Sequence, residues 1–267
     1  MSAYQFLPAT VEEVPILISV PHCGIEFPEE LKNEYVQELI QAPDDTDWFV
    51  DHLYDFAPHL GISMIIARYS RWVIDLNRDP KNEPLYTDGR LLTGLCATTT
   101  FLGKHIYRDQ RKEVSSHEVE RRRSQYYRTY HGKIEEQLHR LKRKFGTVLL
   151  WDCHSIRQVV RTIHPEKFPD LILGDADGTS ASPGLIEAAL RNLELSDYTV
   201  GHNYPFKGGY ITRHFGKPGE HQHALQLEMC KVRYMDDGEL KYDSERAGKM
   251  RTVLQSTLTG LIEWLTN

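Results

Sequence analysis

Apolar residues along this chain gather into short runs with few polar interruptions. Val14-Pro-Ile-Leu-Ile-Ser-Val20, Ile62-Ser-Met-Ile-Ile-Ala67, Trp72-Val-Ile-Asp-Leu76 and Thr147-Val-Leu-Leu-Trp-Asp152 are too uniformly apolar for strands with one wet face. They predict strands buried on both sides. Leu225-Gln-Leu-Glu-Met229 alternates strictly and predicts a strand with two unlike faces. Elsewhere the period is three to four. Helices are expected at about 29–41 and 45–58, the second with Phe49, Leu53, Phe56 and Ala57 on one side. The longest helix is expected over 116–144, where Tyr127, Tyr130, Ile134, Leu138 and Leu141 recur; Ser115 and Glu118 offer a capping box and Gly146 a stop. Ser182-Pro183 opens another helix, and the last, near 244–265, turns Met250, Val253, Leu254, Leu258, Leu261 and Ile262 inward. Strands alternating with helices give an α/β sandwich with a mostly parallel sheet. No linker, repeat or low-complexity tract divides the chain, so residues 1–267 are read as a single domain.

Composition narrows the function classes. With 26% charged and 40% hydrophobic residues and a formal charge of −6, the chain offers no electrostatic basis for a nucleic-acid or membrane partner. Arg121-Arg122-Arg123 is expected on a solvated helix face. Cys23, Cys96, Cys153 and Cys230 show no C-x-x-C spacing, which fits reduced thiols. No window approaches the ~18 apolar residues of a membrane span, and no signal peptide opens the sequence. A cytoplasmic protein is expected. The loop-rich span 77–110 is long enough to suggest function.

Candidate chemistry sits where the apolar runs end. The central run drives into Asp152-Cys-His154-Ser155, and the first closes with Pro21-His22-Cys-Gly24. In α/β sheets the carboxyl ends of strands collect catalytic groups, and a catalytic zinc takes three ligands from His, Asp or Glu. His22 and His154 are two such candidates. The third could be Glu26, or one of Asp44, Asp45 and Asp47, some of which are expected to cap helices. Asp152 lies two residues before His154, on the same face, and could orient its imidazole. Glu228 shares one strand face with Gln226 and Cys230; a carboxylate there needs a partner or a raised pKa. Facing an activated water, it would serve as general base and then as proton donor. Arg71, Asn77, Arg78 and Arg213 are candidate anion binders, and Gly208-Gly209-Tyr210 sets a phenol beside Arg213. A cysteine–histidine amidase is disfavoured, because adjacent residues on a strand point to opposite faces.

Taken in order, Ser19-Val-Pro-His-Cys-Gly24, Asp45-Thr-Asp-Trp48, Ser70-Arg-Trp-Val-Ile-Asp-Leu-Asn-Arg-Asp-Pro80, Gly94-Leu-Cys, Asp152-Cys-His-Ser-Ile156, Pro169-Asp-Leu, Gly208-Gly-Tyr-Ile-Thr-Arg213 and Gln226-Leu-Glu-Met229 resemble the N-formylglutamate amidohydrolase family. The resemblance implies a zinc-carboxypeptidase-like fold, a three-layer α/β/α sandwich on a mostly parallel mixed sheet. It implies one catalytic Zn2+ on His22, Asp47 and His154, with Glu228 as the catalytic glutamate. Carboxypeptidases carry His-x-x-Glu at the first ligand pair, but Ile25 stands there in this chain and Glu26 is out of register, so Asp47 is the expected replacement. Asn77 and Arg78, with Arg71, Arg213 and Tyr210, would bind a small-molecule dicarboxylate. The implied reaction is hydrolysis of N-formyl-L-glutamate to formate and glutamate in histidine degradation. The alternatives are a zinc hydrolase of another N-acyl amino acid or a peptide C-terminus, and a non-catalytic binder of acidic amino acids.

Overall fold

The computed structural model describes residues 2–85 and 93–267. Its seven strands are β1 (Tyr4–Leu7), β2 (Ile16–Val20), β3 (Ser63–Ala67), β4 (Val148–Ile156), β5 (Leu171–Gly174), β6 (Val200–His202) and β7 (Gln222–Cys230). They form one sheet in the order β1-β3-β2-β4-β7-β5-β6. The four middle strands β3, β2, β4 and β7 run parallel. β1 closes one edge antiparallel to β3, and β5 with β6 closes the other, β5 running antiparallel to β7.

Helices α1 (Glu29–Lys32), α2 (Gln37–Ile40), α3 (Val50–Leu53), α4 (Ser116–Arg122), α5 (Arg128–Phe145), α6 (Pro183–Glu194), α7 (Tyr210–Phe215) and α8 (Ser244–Thr266) cover the sheet. One turn of π-helix, Arg123–Tyr127, joins α4 to α5. Leu149, Trp151, Cys153, Leu225, Leu227 and Met229 pack beneath Val50 and Leu53 of α3, Leu185 and Ala189 of α6, and Met250, Leu254 and Leu258 of α8. On the other face Leu17, Ile65, Val148, Leu150 and Ala224 meet Tyr130, Ile134 and Leu138 of α5 and Ile211 and Phe215 of α7. Both faces of the sheet are therefore apolar, which explains the unbroken runs. The three-layer α/β/α sandwich on a mostly parallel mixed sheet is observed.

Several elements differ from the sequence reading. Residues 72–76 form a buried turn instead of a strand. Their apolar side chains seek the core, but side chains satisfy much of the backbone in place of a neighbouring strand. The segment 29–41 breaks into α1 and α2, because Tyr35 turns inward and donates its hydroxyl to the Trp72 carbonyl at 3.1 Å. In 45–58 only Val50–Leu53 is α-helical; Phe49 before it has φ of 62°, and Asp45 and Asp47 are drawn into the interior. β4 continues four residues past Asp152, so His154 lies within a strand. β1, β5 and β6 were not foreseen. Arg122 is wholly buried, a correction to the solvated arginine face: it donates to Glu118 at 2.7 Å and to the Tyr107 hydroxyl and the Val73 carbonyl, each at 3.0 Å. Ser115 caps α4 through Glu118 N–H, and Gly146 ends α5 at φ of 80°, both as expected. Of the span 77–110, residues 86–92 lie outside the described residues. Among the described residues, no helix is long and apolar enough to cross a membrane.

Candidate active site

β4 and β7 lie side by side in register, with Asp152 opposite Gln226 and His154 opposite Glu228. The two-residue period sends all four side chains to the same face at the carboxyl ends of both strands. His22 arrives just after the end of β2, the other neighbour of β4. Asp47 arrives from the loop before α3, whose backbone N–H donates to the His22 carbonyl at 3.0 Å.

His22, Asp47 and His154 form a buried group whose ligand atoms all lie within 4.8 Å of one another. The Asp47 carboxylate stands 3.1 Å from His154 Nδ1 and 3.6 Å from His22 Nδ1. Each imidazole is oriented from behind by a second carboxylate. His22 Nε2 donates to Asp75 at 2.8 Å, and His154 Nε2 donates to Asp152 at 2.9 Å. In the metal-free protein His154 Nδ1 also donates to Asp47, while His22 Nδ1 faces the same carboxylate at 3.6 Å. His22 Nδ1 and Asp47 Oδ1 are buried without a hydrogen-bond partner. Unpartnered acceptors this deep are costly, and a cation between them would satisfy both. These residues thus fit a divalent metal ion. Glu26, by contrast, is exposed near Arg68, and Asp45 accepts from Trp72 Nε1 at 2.8 Å and from Phe101 N–H at 3.1 Å.

The electrostatics follow from burial and charge. Burial opposes ionisation of Asp47, but hydrogen bonds and charge from His154 and His22 hold its carboxyl below the usual range. Burial likewise opposes a charge on Asp75, which the Arg71 guanidinium and His22 overcome. Glu228 lacks comparable compensation. Burial pushes its carboxyl up to about 7 against the opposing pull of His154. Its hydrogen bond comes from Gln226 Nε2, at 3.2 Å.

A cleft of about 630 Å³, counted to its open mouth, lies over this cluster. His22, His154 and Glu228 form its floor, Arg71 and Arg78 supply positive charge, and Phe101, Ile163 and Phe206 an apolar wall. Arg71 donates to Asp75 at 2.7 Å and lies 4.7 Å over the Phe101 ring. Arg78 is held by the Thr93 carbonyl at 3.0 Å. Asn77 lines the cleft, yet its amide is a hub: Nδ2 donates toward Gln226 Oε1 at 3.4 Å and Asp152 Oδ2 at 3.5 Å while packing against His154 Nε2, and Oδ1 accepts from Ile211 N–H at 2.8 Å. Tyr210 and Arg213 do not line the cleft. Tyr210 pairs with His214, and Arg213, on the exposed side of α7, donates to the Gly208 carbonyl. The Gly-Gly turn acquires a reason. Gly208 has φ of 103°, and a Cβ on Gly209 would come within 2.2 Å of the Asn77 amide.

Asp75 and Gln226 also belong to this cluster, although neither is among the candidate residues read from the sequence. The signal was available for both. Asp75 interrupts an apolar run as Glu228 does, and Gln226 shares the face of Glu228 by simple alternation.

The sequence model of the N-formylglutamate amidohydrolase family matches residues 14–235. The chain is 40% identical to an N-formylglutamate deformylase of Pseudomonas putida, over 94% of this chain and 93% of the relative. It is 41% identical to the N-formylglutamate deformylase of Pseudomonas aeruginosa, over 94% of each. Among solved structures, an N-formylglutamate amidohydrolase from Ralstonia eutropha superposes with a TM-score of 0.82 at 27% identity, over 99% of each chain.

Proposed function

This chain belongs to the N-formylglutamate amidohydrolase family, and from that premise we propose that it hydrolyses N-formyl-L-glutamate to formate and L-glutamate with a zinc ion on His22, Asp47 and His154. Two imidazoles and one carboxylate with room beside them make a donor set suited to catalytic zinc. When bound there, zinc would supply Lewis-acid polarisation of the formyl carbonyl and acidify a water.

The observation that carries the reading is Glu228, set opposite His154 on the neighbouring strand with a carboxyl raised to about 7. Such a group takes and returns a proton near neutral pH. As water attacks the formyl carbon, Glu228 accepts its proton. As the carbon–nitrogen bond breaks, Glu228 delivers that proton to the departing nitrogen, leaving formate and the free amine of glutamate. Asp75 and Asp152 would keep the proton on each Nε2, so that both Nδ1 atoms turn to a bound ion. Arg71 and Arg78 provide two guanidiniums for the two substrate carboxylates, Arg71 already desolvated against Phe101. Asn77 keeps His154 and Gln226 aligned with the turn before α7.

The test joins two measurements on purified protein: metal content, and formate release from N-formyl-L-glutamate beside the N-acetyl and N-succinyl analogues. Near-stoichiometric zinc and a clear preference for the formyl substrate are expected. Equal rates on all three would transfer the assignment to a broader N-acyl amino acid hydrolase. Protein that turns over undiminished after Glu228→Ala would refute the mechanism.

A further inference from the structure

The segment that delivers Asp75, Asn77 and Arg78 to the site has no regular structure, yet residues 72–77 are buried. Buried carbonyls must find donors, and four carbonyls of the segment and its exit find them on one rod of helix. Arg122 Nη1 donates to the Val73 carbonyl at 3.0 Å, and His131 Nε2 to Leu76 at 2.8 Å. The Tyr127 hydroxyl donates to Arg78 at 2.8 Å, and Arg123 Nη1 to Pro80 at 2.9 Å. Four side chains of α4, the π turn and α5 thus do for this loop what a neighbouring strand does in a sheet.

The π turn, Arg123–Tyr127, makes the alignment possible. In an unbroken α-helix, residues five apart such as Arg122 and Tyr127 would point roughly 140° away from each other. A π turn closes over about one more residue and brings them toward one side, and such turns recur at functional sites. Tyr127 and His131 then follow at a four-residue step. Their rings stack in parallel at 4.0 Å, and His131 also stacks on Phe215 of α7. Their two donors grip the carbonyls on either side of Asn77. The start of α7 holds the same residue as well, through Tyr210 N–H to its carbonyl and Ile211 N–H to its side chain. Burial lowers the His131 pKa to about 4, so its ring stays neutral.

We propose that Tyr127 and His131, brought into phase with Arg122 by the π turn, are positioning residues that fix the register of Asp75, Asn77 and Arg78 and so the orientation of His22 and His154. Neither residue lines the cleft. The proposal deepens the zinc hydrolase reading and rests on it for the identity of the ion.

The test uses Tyr127→Phe, His131→Leu and His131→Gln in the full chain. Each variant is loaded and titrated with zinc against a chromophoric chelator, and hydrogen exchange is followed at amides 75–79. Steady-state kinetics are taken well below each melting temperature. Zinc affinity and kcat/KM are expected to fall roughly 3- to 30-fold in Tyr127→Phe and His131→Leu, below or within the span for direct partners of metal ligands. Exchange at 75–79 should quicken, and His131→Gln, which keeps a donor, should recover part of the loss. A lowered melting temperature with zinc affinity, kcat and KM all unchanged would reduce the pair to structural props and overturn the proposal. Zinc affinity is read without substrate. Wild-type protein that binds zinc but releases no formate therefore sinks the substrate reading while this test still decides.

Discussion

Glu228 owes its chemistry to where its strand puts it. Its neighbours Leu227 and Met229 are pinned in the core, so alternation forces the carboxyl toward His154 whatever the cost of desolvation. In the metal-free protein the carboxyl is raised to about 7; a bound dication favours the ionised base, so the acidic limb of kcat/KM is expected to fall close to tenfold per pH unit from a point below 7. Glu228→Gln should lower kcat by about 10²- to 10⁴-fold with little change in KM, and flatten this acidic limb; an intact limb in the variant would assign it to another group. The same shift has a stability consequence. A carboxyl that binds its proton more tightly when folded contributes fully below its unfolded pKa of 4.5, and that contribution is lost as pH rises through about 7. Above pH 7 the metal-free protein therefore carries a cost on the order of 3 kcal/mol. Metal-free Glu228→Gln should accordingly melt above wild type at pH 8 and lose the advantage by pH 4.5, a comparison open to calorimetry. At this scale the sequence was legible where a polar residue broke an apolar pattern, as Glu228 and His154 do. It was less legible for Asp47, since three neighbouring acids, Asp44, Asp45 and Asp47, differ only in which way an irregular loop turns them.

Elements set the distances that residues exploit. The parallel pairing of β4 and β7 aligns two pairs of polar side chains at once, Asp152 with Gln226 and His154 with Glu228, and a slip of one residue would send all of one strand's groups to the opposite face. Strand and helix periods made β2, β3, β4, β7, α5 and α8 readable, because burial on regular elements repeats at 2 or 3.6 residues. The segment 72–76 misled for the same reason. Its apolar side chains are buried as in a strand, but the Trp72, Val73 and Leu76 carbonyls are met by tyrosine, arginine and histidine side chains, and such long-range partners leave no period. The turn before α7 is a second case. Gly208-Gly209 read as a bare turn, yet Gly209 must lack a side chain because the Asn77 amide occupies that space. Gly209→Ala is thus expected to keep the fold, displace Asn77 and lower kcat/KM by about tenfold or more, in line with the sensitivity of catalysis to small misplacements. Wild-type kinetics in that variant would show that the Asn77 hub tolerates movement.

At the scale of the whole molecule, the site ties together parts of the chain that are distant in sequence. His22 follows β2, Asp47 comes from the loop before α3, and His154 belongs to β4, so an ion held by all three would cross-link both sides of the sheet's centre. The layered α/β fold positions these groups without the ion, since each imidazole has its own carboxylate behind it. What the ion would add is relief for the unpartnered His22 Nδ1 and Asp47 Oδ1. A ligand bound only by the folded state and present at a thousand times its Kd stabilises by about 4 kcal/mol. For a chain of this length that is roughly 8–16 °C in melting temperature. Exhaustive chelation should lower Tm by that order, and zinc should restore it. Asp47→Ala should remove most of the zinc-dependent increment while keeping the sandwich intact, because Asp47 lies in a loop outside the hydrophobic clusters. Asp45→Ala should keep the zinc-dependent increment and lose stability in both states, since its carboxylate serves Trp72 and the Phe101 backbone. If zinc raised the Tm of Asp47→Ala as much as that of wild type, Asp47 would leave the ligand set and the cross-link would reduce to the two histidines.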